Sequence, residues 1–240
     1  MREEVVSQGI VLKVIPFKEH DAILSVYFKE YGKLSLYASG LRKPKSKNAS
    51  SCQPMMLSEF RFFLKKDMCK LVSSQLIDGH RHLESSLPLQ ACANLLLEYY
   101  YRAIGNNQPN LDHYQFLIGC LKALNEGYHY LQVYLFILAF ILKDSGSAIM
   151  VDHCAMCEDV HQIVSVDVVA GGFVCLKHLK EQQVTYTPEF LKMFRLINKG
   201  SIHQIDLLTS DLLLLKSLKN VMEQFYDEYS SIRLNSKQFI

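Results

Sequence analysis

No stretch of the chain is apolar for long enough to cross a bilayer. The longest such run, Val133 to Leu142, has ten residues, about half the length of a spanning helix, and reads instead as a buried one. Nothing resembles a secretory signal, which predicts a reducing, cytoplasmic setting. Repeats and low-complexity tracts are absent. There is no Gly-x-x-x-x-Gly-Lys loop, no Gly-x-Ser-x-Gly elbow and no His-Glu-x-x-His pair, so the usual ATPase, hydrolase and zinc-protease signatures are missing. His82-Leu83-Glu84 is a bare His-x-Glu, and the residue before the later Cys pair is His153 where a deaminase needs Pro. Carboxylates are scattered, with no evident acid–base pair. His20, His80, His82, His113, His129 and His203 read as surface or capping residues. These absences point away from an enzyme and towards binding.

Net charge is also low, +2 over 240 residues. It is unevenly spread. Residues 1–80 carry 13 Lys and Arg against 8 Asp and Glu, a net charge of +5, and the remainder is net −3. A basic first part implies a polyanionic partner.

Periodicity divides the chain in the same place. Gln8 to Ile15, Ala22 to Lys29, Lys33 to Ala38, Ser58 to Leu64 and Cys69 to Ile77 are short β-rich segments parted by turn signals such as Glu30-Tyr31-Gly32. Five such strands fit a small barrel of the OB type, or a small open sheet. From Pro88 the period becomes helical. Leu89 to Ile104, Leu111 to Asn125 and Tyr128 to Lys143 follow, the last apolar nearly all round and so central. Thr187-Pro188 opens a further helix. Ser210 is placed to cap a last one, with Leu214, Leu218, Val221 and Phe225 as its stripe. The expected fold is α+β: residues 1–80 an OB-fold barrel, residues 81–240 a helical domain with a small hairpin insert at about 150–180.

That insert carries two ligand pairs, Cys154-x-x-Cys157 and Cys175-x-x-His178. Three thiolates and an imidazole at this spacing suit a tetrahedral structural zinc, one per chain, with no open position for water. Unligated thiols, or a local disulfide in an oxidised sample, are the alternative. His153 and His161 are nearby rivals for the fourth position, but only His178 keeps the two-residue register with Cys175. Val164, Val166 and Val168 alternate as a strand and Gly171-Gly172 can turn it back, so a hairpin would bring the pairs together. Cys92 and Cys120 lie in helical patterns and read as small hydrophobes.

The basic part has its own cluster. Arg42, Lys43, Lys45 and Lys47 stand on a loop expected to be held extended by Pro44, and Lys33, Arg61, Lys65 and Lys66 extend the track if they share a face. Tyr37 and Phe63 are either platforms for stacked bases or plain packing.

The series Gln8-Gly9-Ile10-Val11-Leu12-Lys13, Lys18-Glu19-His20-Asp21, Tyr31-Gly32-Lys33, Gly40-Leu41-Arg42-Lys43-Pro44-Lys45-Ser46 and Gln53-Pro54 resembles the opening of the bacterial DNA repair protein RecO family. Ala139 to Gly146 leading into Cys154-x-x-Cys157 resembles its junction between helix and zinc site. Zinc-bearing members typically have a fourth Cys where His178 stands, and some members lack the site, so the resemblance implies that the metal is a brace. It also implies a non-enzymatic recombination mediator in the bacterial cytoplasm, at the nucleoid. Such a protein binds single- and double-stranded DNA and anneals strands coated by single-strand-binding protein. With RecR it helps load RecA. Arg42, Lys43, Lys45 and Lys47 would neutralise phosphates, backed by Lys33, Arg61, Lys65 and Lys66. The competing readings are a zinc-braced protein–protein adaptor and, behind it, a metal-dependent enzyme.

Overall fold

The computed structural model describes residues 3–66 and 68–240. They form two compact units, Met1–Gly127 with Leu234–Ile240, and Tyr128–Arg233. The change from strand to helix at 80/81 therefore falls inside the first unit.

Five strands of the first unit close a barrel: β1 (Glu4–Phe17), β2 (Asp21–Phe28), β3 (Gly32–Ala38), β4 (Leu57–Phe63) and β5 (Cys69–Asp78). Their order is β1-β2-β3-β5-β4, and β4 pairs back onto β1. All neighbours are antiparallel except β3 and β5, which meet in parallel at Leu36–Cys69 and Tyr37–Lys70. Closure excludes the open sheet and gives the OB-type barrel. β1 serves both sides because it is long, pairing with β4 through Glu4–Ile10 and with β2 through Gly9–Phe17. A bulge between Val11 and Lys13 lets it bend round the barrel.

Period-two alternation builds the barrel core. Phe60 and Phe62 are buried while Glu59 and Arg61 are exposed. Phe28 packs against both, with ring centroids 5.6 and 4.9 Å apart. Leu24, Val26, Leu36 and Leu71 fill the remaining space.

Two helices belong to the same unit, α1 (Leu87–Ala103) and α2 (Leu111–Asn125). Pro88 lies in the first turn of α1, one place after its start. Tyr100 of α1 meets Tyr27 of β2 edge-on at 5.1 Å. Cys92 and Cys120 are fully buried, as expected of small hydrophobes, and burial pushes both thiols up. The chain's last residues return here. The Glu98 carboxylate accepts the Asn235 and Ser236 N–H groups, each at 3.0 Å, and the Ser236 hydroxyl at 2.9 Å. One histidine departs from expectation: His80 is buried, in a left-handed conformation, with Nδ1 2.8 Å from the Met55 carbonyl.

The second unit contains α3 (Tyr130–Asp144), a hairpin of β6 (Ile163–Asp167) and β7 (Gly172–Cys175), α4 (Pro188–Lys199) and α5 (Leu212–Tyr229). α3 is buried along nearly its whole length, in keeping with its all-round apolar character. Thr187 caps α4 as its sequence implies. The cap of α5 is Asp211, whose carboxylate accepts the Leu213 N–H at 2.8 Å, and not Ser210. Its buried stripe starts at Leu215, because Leu214 sits half-buried at the edge.

Candidate metal centre and nucleic-acid interface

The hairpin forms as its valines suggest, with β6 antiparallel to β7. Gly172 has a specific reason to be glycine: a side chain there would put its Cβ 2.1 Å from the Met150 carbonyl oxygen. That close approach, sealed by the Phe173 N–H to the Met150 carbonyl at 2.8 Å, lays the segment before Cys154 alongside β7. The Ala155 N–H donates to the Phe173 carbonyl at 2.8 Å, and the Glu158 N–H closes the first knuckle on the Cys154 carbonyl at 2.9 Å. The second knuckle is a short 3₁₀ turn, Leu176–His178.

Four donor atoms, from Cys154, Cys157, Cys175 and His178, thereby come within 4.8 Å of one another. Cys157 Sγ is 3.8 Å from Cys175 Sγ, and His178 Nδ1 is 3.4 Å from Cys175 Sγ and 3.9 Å from Cys154 Sγ. His153 turns its Nδ1 to the Cys154 carbonyl at 3.1 Å and stands outside the group, as does His161. Burial pushes the Cys154 thiol up, but N–H donors from Cys175, Met156 and Cys157 outweigh it and bring the thiol down to about 6. At Cys157 the Asp159 N–H lowers the thiol, yet desolvation and the adjacent Cys175 and Cys154 sulfurs leave it raised. The set can hold a metal ion, and with four protein donors the shell is complete.

The rest of the second unit braces this insert. Lys199 and Arg195 of α4 bond the Asp152 carboxylate at 2.6 and 2.8 Å and hold it below the usual carboxylate range. Tyr229 of α5 donates to the Val168 carbonyl at the hairpin turn, at 2.6 Å. Asp167 accepts from Ala170 N–H and Lys180 Nζ across the same turn.

The basic loop lies between β3 and β4. It is a run of tight turns and not the extended segment expected. The Lys43 N–H donates to Gly40, Ser46 to Lys43 and Ala49 to Ser46, with Pro44 at the second position of its turn, where its fixed φ fits. Arg42, Lys43, Lys45 and Lys47 are all exposed, and Leu41 between them and β3 is buried in the barrel core. The backbone of the loop is pinned at both ends. The Asp21 carboxylate accepts the Tyr37 hydroxyl and the Gly40 N–H, the latter at 2.7 Å. Gly40 has φ +65, a conformation that suits glycine. The Arg42 N–H donates to the His20 carbonyl at 2.9 Å. At the far end Asn48 Oδ1 accepts the Ser74 N–H at 3.1 Å, and Ser51 and Ser74 hydroxyls pair at 2.7 Å.

Sequence reasoning missed Asp21, Asn48 and Ser74 as organisers of this loop. The register of the β2–β3 hairpin pairs Ala22 with Ala38, so Asp21 faces the start of the loop. That register was the available signal. Tyr37 gives its hydroxyl to Asp21 and packs edge-on against Phe17 at 6.1 Å.

The second tier divides. Arg61 is exposed on the outer face of β4, near Glu4 at 3.5 Å. Lys65 and Lys66 are exposed beside a small recess shared with Lys33, Ser35 and Asn106. Lys33 itself is a correction to the surface track. It is 8% exposed, and its ammonium donates to the Tyr100 and Tyr101 carbonyls at 3.4 and 2.7 Å, at the C-terminal end of α1. Desolvation lowers its pKa. Its charge is engaged with helix carbonyls, a favourable place for a cation.

Comparison with known proteins adds a family. The model "Recombination protein O N terminal" matches residues 1–80, and "Recombination protein O C terminal" matches residues 84–238. Among similar proteins is "DNA repair protein RecO" of Exiguobacterium sibiricum, 25% identical over 236 residues, covering 98% of this chain and 95% of that relative. The protein of the same name from Bacillus cereus strain AH187 is 26% identical over 235 residues, covering 97% and 95%. Matched by these two models over residues 1–80 and 84–238, the chain belongs to the recombination protein O family.

Proposed function

We propose that this chain is a DNA-binding recombination mediator that anneals complementary strands, and that it works without catalysing a chemical step. The observation that carries the proposal is the pinned loop on the OB barrel, which presents Arg42, Lys43, Lys45 and Lys47 together to solvent. Phosphates on both strands would be neutralised by these four cations, with Arg61, Lys65 and Lys66 beyond them. Releasing condensed counterions and lowering strand repulsion favours annealing in the same step. Because the loop backbone is held by Asp21 and Asn48, little ordering cost is left for binding. Residues 1–80 are then the nucleic-acid-binding part and residues 81–240 the helical part. The partners proposed, on the strength of the family, are single- and double-stranded DNA, RecR and single-strand-binding protein, met in the cytoplasm at the nucleoid. No described helix is long and apolar enough to cross a membrane.

Zinc is proposed for the cluster. Around a tetrahedral zinc, two thiolate sulfurs stand about 3.8 Å apart and a sulfur and an imidazole nitrogen about 3.6 Å. The observed separations of 3.8, 3.4 and 3.9 Å support that size. Such an ion stabilises a small insert that has little core of its own.

The test is strand annealing with and without coating protein, together with a salt titration of binding. Replacing Arg42, Lys43, Lys45 and Lys47 by Ala is expected to slow annealing and to flatten log K against log salt by about 0.7–0.9 per lost contact. An unchanged slope would remove the loop from the interface. Retained partner binding with no DNA affinity in the wild type would favour the adaptor reading.

A further inference from the structure

The four donors differ sharply in their access to solvent. Cys154 and Cys175 are 0% and 1% exposed, and His178 is half-buried. Cys157 alone of the three sulfurs is exposed. It sits on the outer side of the first knuckle, where Glu158 takes a left-handed φ of 61°. Outside the cluster, Cys52, Cys69, Cys92 and Cys120 are all buried.

We propose that Cys157 is an oxidant-sensing site: a peroxide reaches the cluster through this sulfur and joins it to Cys175, so that a disulfide replaces the metal as the staple of the hairpin. The proposal rests on the reading of the cluster as a metal centre, where each sulfur is a thiolate. The Cys157 thiolate attacks one oxygen of the peroxide, the O–O bond breaks, and a sulfenic acid and hydroxide form. The Cys175 thiolate then attacks the Cys157 sulfur and expels a second hydroxide as the S–S bond forms. Two sulfurs give up two electrons in total, and the two peroxide oxygens take them. Cys154 and His178 are left as the sole donors, too few to keep the ion.

Geometry selects Cys175 as the partner. Its sulfur is 3.8 Å from Cys157 Sγ, so closing to a bond of about 2.05 Å needs a shift of less than about 2 Å. Cys154 Sγ is instead held in place by the N–H groups of Met156 and Cys175, at 3.5 and 3.4 Å. The choice has a structural consequence. A Cys154–Cys157 bond would close one knuckle and leave the second loose, whereas Cys157–Cys175 keeps the two knuckles tied after the ion has gone.

The experiment treats the full metal-loaded chain with hydrogen peroxide. A chromophoric chelator follows metal release, and peptide mapping without reductant finds the cross-link. The expected result is stoichiometric release with a Cys157–Cys175 disulfide, the cross-link forming in step with the loss of the ion. Chelator should loosen the hairpin in the reduced chain and leave it intact in the oxidised one. A predominant Cys154–Cys157 bond or release without any cross-link would each overturn the proposal. Should the reduced chain carry no metal, the zinc reading fails by itself, and the cross-link map still decides between Cys175 and Cys154.

Discussion

Two residues show how a single side chain changes role between sequence and structure. Asp21 looks like an ordinary turn residue, yet its carboxylate fixes the start of the basic loop. The Tyr37 hydroxyl and then the Gly40 N–H hold it below the usual carboxylate range. A depressed pKa means that its stabilisation is present above the unfolded value of about 3.9 and is lost as pH falls through the lower folded value. Urea midpoints of wild type and Asp21→Asn should therefore differ at neutral pH and draw together as the pH falls from about 4 through the lower folded value. DNA affinity of the variant should fall with its salt slope intact, because the cations are all still present. Lys33 is the converse case: a cation that reads as part of a phosphate track but is buried on helix carbonyls. Lys33→Met is expected to lower stability by about 1–3 kcal/mol, the cost of carbonyls left unpaired. Calorimetry measures that loss, and a salt slope equal to wild type would separate it from the loop cations.

At the scale of elements, the hairpin and the basic loop depend on opposite devices. The β6–β7 hairpin is two strands only, which by themselves are marginal in water. Its fastening comes from the four donors and from α4 and α5, through Asp152 and Tyr229. Cys154→Ala should reduce bound metal from about one ion per chain to none. Hydrogen exchange should then rise through residues 150–180 while the barrel strands keep their protection. The loop needs no ion, because it is bonded to the barrel at both ends and Leu41 is sunk in the core. Pro44 alone does not set its conformation. Proline sets its own φ and biases the residue before it towards extended geometry, but the closing bonds Ser46 to Lys43 and Ala49 to Ser46 belong to the whole loop.

Across the whole molecule, the last residues, Leu234–Ile240, belong to the compact unit that holds the barrel, α1 and α2, while Tyr128–Arg233 makes the other. Glu98 is the bond that places them there. Glu98→Ala is expected to lower stability by about 1–3 kcal/mol through three lost bonds to a carboxylate. Limited proteolysis should then remove the C-terminal residues first. An uncut C-terminus would show that apolar packing holds the segment without the carboxylate. The return of the chain end could not be read from its sequence, because nothing local in Asn235-Ser236 points to a carboxylate 137 residues earlier.

What the sequence determined by itself were features with a local cause. β-rich segments parted by turn signals placed all five barrel strands, since strand propensity and turn chemistry are local. Gly and Pro punctuated the helices, and two x2 spacings selected the metal set, including His178 over its neighbours. Only the tertiary structure decided matters that depend on residues meeting from far apart. Among these are the closure of β4 onto β1, the capture of Lys33 by α1, the turns of the basic loop, and the exposure of Cys157 beside a buried Cys175. Burial and hydrogen bonding are properties of a place in space, and a place is fixed only when distant segments pack.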